Sequence, residues 1–482
     1  MAGEKQQVGK RQRVRLPLIG AMSNRGYDPT KDQRFVNAFP ETRKVEQLEN
    51  TRIYINKRPG TDELCSVSGD GVGRGFIWFN GFFITVIGNT VYKVGDTGSP
   101  ITTLTTLSTS IGHVGMIYCD SAVIGDYIFL CDGTAAKIVK EDFSVVDIAA
   151  VPTPHTPTPI FIDGYVILPK GFLVYNSAVD DPTTWPTDNY LAAEMMPDTV
   201  KALARQNNQV VVFGESSTEF LYDAANAAGS PLSRNDAAVL QMGTAAPYCI
   251  YQNEKFCAFV AQSESGGRAV WLIEGFQPKK ISDEFIERIL DAETDMSDCR
   301  GYGFRTKGHL FFLINLKTTN RTLVYDFDEK LWHEWSSWSA INEHNVFNYD
   351  YAADNHSGKI YLLSSTTGDI YYLNPDKYQD ETDPITVEIR TNKYDMDTYN
   401  RKFVSSIRIV GDRYATNNSV KLAWSDDDYQ TWSNEKDIEL TDNFPAFQRG
   451  GSFRRRAFRI KHALNYPLRL ESLEVVYDEG IS

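Results

Sequence analysis

Seven stretches of the chain repeat one pattern: a short apolar strand, a turn, and a second strand rich in aromatic residues. They begin at Gly81, Gly125, Gly164, Asn207, Asn253, Lys307 and Gly358, at intervals of 39 to 54 residues. A period of about 40 to 50 residues with two hairpin strands per unit is typical of propeller blades. We therefore predict an all-β fold centred on a β-propeller of about seven blades. The period does not give the function, because propellers serve as enzymes, binding platforms and structural rings.

The sequence on either side of the repeats lacks this period. Residues 1–60 contain QRFVNAFPE and the turn signal Pro59-Gly60, which predict an extended N-terminal arm leading into the ring. After residue 383 the chain has alternating strand patterns such as ITVEIR, over a length that suits a β-sandwich or jelly-roll-like module. We predict three domains. They are the arm (1–60), the propeller (61–383) and the C-terminal module (384–482), with the arm and the module forming a platform.

One segment has the pattern of a helix and another that of a linker. SDEFIERILDAE (282–293) is predicted to be helical with Ser282 as its cap, because its apolar residues share one face. The proline-rich VPTPHTPTP (151–159) favours an extended linker between two blades. Trp185, in DDPTTWP, is large enough to pin a loop at a blade edge onto the body.

Charge is unevenly distributed along the chain. Residues 1–58 contain 13 Lys or Arg and 6 Asp or Glu, a balance of +7, whereas the rest carries −21. This pattern favours an arm that docks on an acidic partner surface, with a solvated tail as the alternative. The candidate docking residues are Lys10, Arg11, Arg13 and Arg15. We expect no membrane anchoring, because no apolar run approaches the roughly 18 to 20 residues that span a bilayer.

No spacing of residues indicates catalysis, a metal or a cofactor. The seven histidines are scattered without a metal-ligand pattern, and the six cysteines occur singly, so we expect reduced core thiols. The sequence has neither a GxSxG nucleophile elbow nor a GxxxxGK[ST] phosphate loop. We therefore predict a protein that is not an enzyme, with no catalytic residue, metal or cofactor.

An alternative function is that of a sialidase-like, glycan-processing or glycan-binding propeller. SDDDYQTW (425–432) approaches the Asp-box turn of such propellers, although Tyr429 replaces its glycine. The matching residues are Ser425, Asp427, Thr431 and Trp432. A sialidase also needs three arginines that converge on a carboxylate. The available candidates are Arg205, Arg268, Arg300 and Arg305, each interpreted more simply as a rim or ion-pair residue.

A basic cluster lies near the C-terminus, in FRRRAFRIKH (453–462). On a strand, Arg454 and Arg456 would face one side and Arg455 the other, so the cluster does not form one uniform patch. We predict that these three arginines pair with a neighbouring acidic subunit, with nucleic-acid contact as the alternative.

Four runs carry a family resemblance in combination. They are FLVYNSAVDDPTTWPTDNY and its continuation to residue 223, ISDEFIERIL (281–290), GYGFRTKGHLFFLINL (301–316) and TLVYDFDEKLWHEWSS (322–337). Together they resemble the packaged DNA stabilisation proteins of short-tailed bacteriophages, also called tail nozzle, tail hub or tail tube B proteins. The structural signature residues within these runs are Asp181, Pro182, Trp185, Trp332 and Trp335.

The resemblance implies a structural protein of the virion tail, assembled in the host bacterial cytoplasm. It implies a hexameric ring below the portal-adaptor ring that extends the DNA channel and retains the genome until ejection. A needle or plug and tail fibres or spikes would be further partners. Duplex DNA would pass through the lumen without sequence-specific binding. We expect a net acidic lumen, because a wall of Lys and Arg would bind the phosphates and stall the DNA.

Overall fold

The computed structural model describes residues 11–19, 33–43, 52–67, 71–193, 198–263, 265–414 and 416–480. Contacts divide the chain into two compact units. Unit 1 comprises Met1–Thr61, Asp328–Asn345 and Asn374–Ser482, and unit 2 comprises Asp62–Phe327 and Val346–Leu373. Residues 328–345 and 374–383 therefore group with unit 1 and not with the ring, in contrast to the predicted boundaries. The division into the domains 1–60, 61–383 and 384–482 stays a prediction.

Short strands open the chain and lead into four-stranded antiparallel sheets. The opening strands are β1 (Gln12–Pro17), β2 (Arg34–Val36), β3 (Ala38–Arg43), β4 (Arg52–Lys57) and β5 (Gly60–Cys65). The first two sheets contain β6 (Gly73–Phe79), β7 (Phe82–Ile87), β8 (Thr90–Gly95) and β9 (Ile101–Thr106), then β10 (Gly115–Cys119), β11 (Tyr127–Cys131), β12 (Ala136–Lys140) and β13 (Val145–Ile148). The next two contain β14 (Ile160–Ile162), β15 (Tyr165–Lys170), β16 (Leu173–Asn176) and β17 (Tyr190–Ala192), then β18 (Ala202–Gln206), β19 (Gln209–Phe213), β20 (Thr218–Asp223) and β21 (Leu232–Leu240).

The same arrangement continues through the rest of unit 2. A fifth sheet contains β22 (Gly243–Thr244), β23 (Ile250–Gln252), β24 (Phe256–Gln262), β25 (Arg268–Glu274) and β26 (Gln277–Lys280), and α1 (Glu284–Ala292) follows it. Then come β27 (Arg300–Thr306), β28 (His309–Leu316) and β29 (Arg321–Asp326), and, after β30 (Leu331–Trp335) of unit 1, β31 (Tyr349–Asp354), β32 (Ile360–Ser364) and β33 (Ile370–Asn374). Strand β5 pairs with β33, so the start of unit 2 completes the group of strands at its end.

The innermost strands of unit 2 form a closed circuit. β6 contacts β10, and the contacts continue through β14, β18, β23, β27 and β31, which contacts β6 again. Each sequence repeat supplies two adjacent strands of one sheet, as GFFITVIGNTVYKVG supplies β7 and β8. The apolar faces of neighbouring sheets pack against each other, as Phe129 and Leu168 do between the second and third sheets. A sheet of this kind buries its faces only against its neighbours, which makes the ring one folding unit.

The remaining strands belong to unit 1. They are β34 (Gln379–Asp380), β35 (Asp383–Pro384), β36 (Val387–Arg390), β37 (Lys402–Gly411), β38 (Ser419–Ser425), β39 (Lys436–Glu439), β40 (Ala446–Gln448), β41 (Ser452–Phe453), β42 (Ala457–His462) and β43 (Arg469–Glu479). One set of paired strands has the order β3-β4-β43-β37-β40, with β1 also on β43, and another has the order β30-β2-β36-β42-β38-β39. Both contribute to one hydrophobic core.

The described N-terminal residues form strands where the sequence predicted an extended arm. Leu16, Phe35 and Ile55 are 4%, 2% and 1% exposed and belong to the same core as the C-terminal Ile407 and Leu473. These apolar side chains explain why the segment packs as strands against the C-terminal module, because they would otherwise lie in water. The sandwich-like form of the C-terminal module stays a prediction, but its core includes N-terminal residues.

The helix α1 begins one residue later than the sequence predicted. Asp283 is its N-cap, because the carboxylate accepts hydrogen bonds from the amides of Phe285 and Ile286, each at 3.0 Å. The Ser282 hydroxyl instead accepts a hydrogen bond from the Val270 amide at 3.0 Å. All six cysteines are free, and five of them are buried, as expected for core thiols. Among the residues that the structure describes, no helix is both long and apolar enough to cross a bilayer.

Candidate functional site

Unit 2 contains a pocket where its innermost strands begin. This axial pocket has a volume of about 230 Å³ and takes residues from, or just before, β10, β14, β18, β23, β27 and β31. Its polar and aromatic wall includes His113, Tyr248, Gln252, Arg300 and Tyr351. Prolines and aliphatic side chains supply most of the remaining wall. No local sequence motif indicates this site, because its residues come from different sheets.

Three aromatic rings and one guanidinium pack together in the axial pocket. The ring centroids of His113 and Tyr248 are 4.5 Å apart, and the rings of His113 and Tyr351 stack at 5.6 Å. The His113 Nδ1 is 2.9 Å from the Tyr351 hydroxyl, within hydrogen-bonding distance. The Arg300 guanidinium lies over the Tyr248 ring, 4.9 Å from its centroid. The rings therefore form a rigid wall beside a buried cation.

The electrostatics of the axial pocket keep His113 neutral. Burial lowers the pKa of His113 to about 3, and the positive charges of Arg300 and Arg74 add to that effect. Arg74 is 1% exposed and donates to the carbonyls of Gly88, Thr109, Gly112 and Ile111 at 2.6 to 2.7 Å. Arg74 thus holds the loop that precedes His113 and supplies a fixed positive charge behind it.

The four candidate arginines of a sialidase-like site do not converge. Arg300 lines the axial pocket. Arg205 donates to the carbonyls of Phe161 and Asn207, Arg268 to those of Leu290 and Glu293, and Arg305 to that of Gly308. Arg205, Arg268 and Arg305 therefore bind main-chain carbonyls. This is a structural role, similar to the rim or ion-pair role that the sequence indicated. The Asp-box-like turn is structural too, since Asp427 accepts hydrogen bonds from Ser425 and Thr431.

The DDPTTW segment has the packing role that the sequence predicted. Trp185 is 7% exposed and lies 6.4 Å from the Phe129 ring within the core of the second and third sheets. Its indole nitrogen donates to the Pro182 carbonyl at 2.9 Å. The Asp181 carboxylate accepts two hydrogen bonds from Thr183, from its amide at 3.0 Å and its hydroxyl at 2.6 Å. These contacts fasten the loop to the sheet edge.

The two tryptophans of β30 are also packing residues. Trp332 is 5% exposed and Trp335 is completely buried. The guanidinium of Arg58, which is itself buried, lies 5.7 Å from the centroid of the Trp335 ring. Arg58 also binds both carboxylate oxygens of Asp380, at 2.9 and 2.5 Å. The signature tryptophans therefore stabilise unit 1 from within.

The candidate docking residues are on and beside β1. Lys10 lies outside the described residues, and Arg11 is exposed. The side chains of Arg13 and Arg15 are 65% and 61% exposed, and both lie within 4 Å of the Glu474 carboxylate. Arg408 binds the same carboxylate at 3.2 Å. Arg13 and Arg15 are therefore presented on a sheet and do not belong to a free tail.

The three arginines near the C-terminus have different environments. Arg456 is 1% exposed and binds both oxygens of Asp426 at 2.6 and 2.8 Å, so it does not reach the surface that the predicted subunit contact needs. Arg455 is 45% exposed and pairs with Asp428. Arg454 is exposed and lies over the Tyr399 ring at 5.5 Å. The acidic partners, Asp426 and Asp428, follow β38, which pairs with β42. The sequence alone does not show that pairing, so it did not predict these ion pairs.

One group of potential metal ligands lies together in the described part of the chain. Oxygen and nitrogen atoms of Glu343, His344 and Glu388 are all within 4.8 Å of one another. However, Lys461 binds Glu343 at 2.6 Å and Arg390 binds Glu388 at 2.5 Å. Because these cations already compensate the carboxylates, the group is an ion-pair network, and we assign no metal to it.

Comparisons with known proteins identify a family and a fold. A family model described as "Bacteriophage P22 Gp10, beta-propeller" matches residues 15–378, more than half of the chain. This match confirms both the resemblance found in the sequence and the prediction of an all-β propeller. No curated protein matched the sequence.

Solved structures match the chain at low sequence identity and low TM-score. A streptogramin B lyase is 12% identical with a TM-score of 0.43, and the match covers 66% of this chain and 98% of that one. The WD40 domain of Neurospora crassa Pan2 is 7% identical with a TM-score of 0.41, covering 66% and 95%. The N-terminal domain of Nup159 is 9% identical with a TM-score of 0.39, covering 67% and 95%. Likenesses this distant carry no information about function.

Proposed function

Because this chain belongs to the phage stabilisation family described as bacteriophage P22 Gp10, beta-propeller, we propose that it forms the tail nozzle, or hub, ring below the portal-adaptor. Membership makes it a structural protein of the phage tail and places it in the virion. In the proposed role, the ring extends the DNA channel and retains the packaged genome until ejection. The observation that carries the proposal is the family match over residues 15–378.

The assembly that we propose is a homohexamer made in the host cytoplasm. Each subunit would contribute a propeller of seven blades, a count supported by the closed circuit of innermost strands from β6 to β31. A needle or plug and tail fibres or spikes are the further partners proposed. Duplex DNA would pass through a net acidic lumen, because the chain after residue 58 has a balance of −21 and would not hold the phosphates.

We propose a structural role without catalysis. The divergence of Arg205, Arg268 and Arg305 from the axial pocket supports this role over the sialidase-like alternative. A sialidase would need several guanidiniums around one substrate carboxylate. Unchanged sialic acid conjugates after incubation with the purified chain are the expected result, and turnover would favour the alternative.

We propose that the basic residues on and beside β1 dock on an acidic surface of the adaptor. Arg11 is exposed, and Arg13 and Arg15 keep more than half of their side-chain surface in water. Deleting residues 1–20 is a poor test of this contact, because it would also remove Leu16 and Leu18, which are 4% and 1% exposed. The test therefore needs substitutions that leave β1 in place.

The decisive experiment compares two double variants in binding to the adaptor. Arg13→Gln with Arg15→Gln should weaken binding at low salt, and the difference from the natural protein should shrink as salt screens the charges. Lys201→Gln with Lys280→Gln removes the same charge from exposed sites of unit 2 and should leave binding unchanged. Equal binding by both variants at every salt concentration would show that β1 is not the docking site.

A further inference from the structure

The guanidinium of Arg300 gives the axial pocket a buried positive charge. Arg300 is 8% exposed. Its Nη1 donates to the carbonyls of Ser297 and Cys299 at 3.2 and 3.0 Å, but these neutral acceptors do not cancel the charge. Burial opposes the charge, but Tyr351, Asp350 and Asp298 together raise the pKa of Arg300, so the guanidinium stays charged. Asp298 is 3.4 Å away and 61% exposed, so solvent screens that attraction. A buried cation of this kind favours an anion at the open side of the pocket.

The other charged group in the wall does not oppose an anion. Asp350 lines the axial pocket, but its carboxylate accepts hydrogen bonds from Lys317 at 2.7 and 2.8 Å and from Asn315 at 2.8 Å. Lys317 therefore compensates most of the Asp350 charge, although Asp350 also attracts Arg300. Arg74 adds a second positive charge to the environment of His113. The potential inside the pocket is positive as a result.

The rest of the wall selects the body of the ligand. The aromatic rings of His113, Tyr248 and Tyr351 face prolines and aliphatic side chains such as Pro157 and Ile117, which suits an apolar or aromatic group. The volume of about 230 Å³ is below the roughly 300 to 1,000 Å³ of pockets that hold drug-sized molecules. The ligand must therefore be small.

We propose that the axial pocket binds a small organic carboxylate, with Arg300 as the counterion of the carboxylate and Tyr248 and Tyr351 packed against its apolar body. Two carbonyls already use the Arg300 Nη1, so few donors of the guanidinium remain for a ligand. A carboxylate needs fewer donors than a multiply charged phosphate, so it fits this guanidinium better. This inference is independent of the ring assembly, because every residue in it belongs to one subunit.

The test uses benzoate, with benzyl alcohol as a neutral probe of nearly the same shape, in ligand-detected NMR with the full-length chain. We expect benzoate to bind with a Kd of about 1 mM, as suits a ligand of so few atoms, and benzyl alcohol to bind at least about tenfold more weakly. Inorganic phosphate should compete poorly. Equal binding of the two aromatic probes, or no benzoate binding at about 10 mM, would overturn the proposal.

Variants separate the charge from the fold. Arg300→Gln should weaken benzoate binding about tenfold or more, whereas Arg300→Lys, which keeps the charge, should retain most of it. Tyr248→Leu removes a ring of the wall without touching the cation and should also weaken binding. Thermal unfolding of each variant without ligand shows whether it is folded. Full benzoate binding by a folded Arg300→Gln variant would contradict the assignment of Arg300.

Discussion

Replacing Trp335 with alanine tests whether the signature residues stabilise unit 1. Trp335 is among the largest side chains that are completely buried. Burying an aromatic side chain of this class removes roughly 150 to 250 Å² from water, which corresponds to about 4 to 6 kcal/mol at about 25 cal/mol per Å². Substitutions of this type cost about 3 to 5 kcal/mol, because the surrounding structure relaxes in part. We expect Trp335→Ala to lower the free energy of unfolding by about that amount and to reduce the yield of folded protein.

The assay is denaturant unfolding followed by far-UV circular dichroism, with Ile341→Ala as the control. Ile341 lies in the same segment, 328–345, but is 91% exposed, so its truncation should change stability by less than about 0.5 kcal/mol. The Arg58 and Asp380 pair does not depend on the indole and should survive in both variants. A loss below about 1 kcal/mol for Trp335→Ala would refute the account of β30 as a packed core strand.

Two further predictions follow from buried charge in unit 1. His462 is 2% exposed, and burial, together with the nearby Lys57 charge, lowers its pKa to about 3. Protons therefore bind preferentially to the unfolded chain, and the free energy of unfolding falls as the pH drops below about 6.5. At pH 5 the free energy of unfolding is lower by about 2 kcal/mol for this reason. His462→Gln should therefore flatten the dependence of the unfolding free energy on pH between 7.5 and 5. An equally steep dependence in the variant would contradict this. Arg456→Ala should cost about 2 kcal/mol or more in chemical denaturation, because it removes a buried guanidinium that binds both oxygens of the half-buried Asp426. Arg455→Ala, in a pair whose two side chains are both exposed, should cost less than about 1 kcal/mol, and equal costs would be inconsistent with the two environments.

The ring could be predicted from the sequence because its signals are local and repeated. Each repeat places two apolar strands around a turn, and the structure has them as adjacent strands of one sheet, such as β7 with β8 and β11 with β12. The packing of Trp185 was also predictable, because a large aromatic side chain between Pro182 and Pro186 can only fasten an irregular loop. Local chemistry was sufficient for these features.

Unit 1 could not be predicted in the same way, because its contacts join residues that are far apart in the sequence. Strand β1 pairs with β43, and Arg34 binds Glu334 through two hydrogen bonds of 2.8 Å. Periodicity shows that each segment is a strand but not which strand is its neighbour. The sequence therefore predicted a platform of arm and module without its strand pairing, and the expectation that Arg456 would be available to another subunit was wrong.

The axial pocket was missed for a related reason. His113, Tyr248, Arg300 and Tyr351 belong to different sheets, and no two of them form a motif. Only the ring closure brings their rings to within 4.5 to 5.6 Å. A sequence signal was nevertheless present, since each residue stands in or just before the innermost strand of its sheet, which directly precedes a repeat unit. Aligning the repeats on those innermost strands would have grouped them at one end of the ring.

Cryo-electron microscopy of the full-length chain, alone and mixed with the candidate adaptor, tests the proposed tail nozzle most directly. The account predicts a closed ring of six subunits that stacks on the adaptor, with an open lumen whose surface is net acidic. Each subunit should show seven blades. A chain that stays monomeric in the presence of the adaptor, or a ring whose lumen is lined continuously by Lys and Arg, would contradict the account.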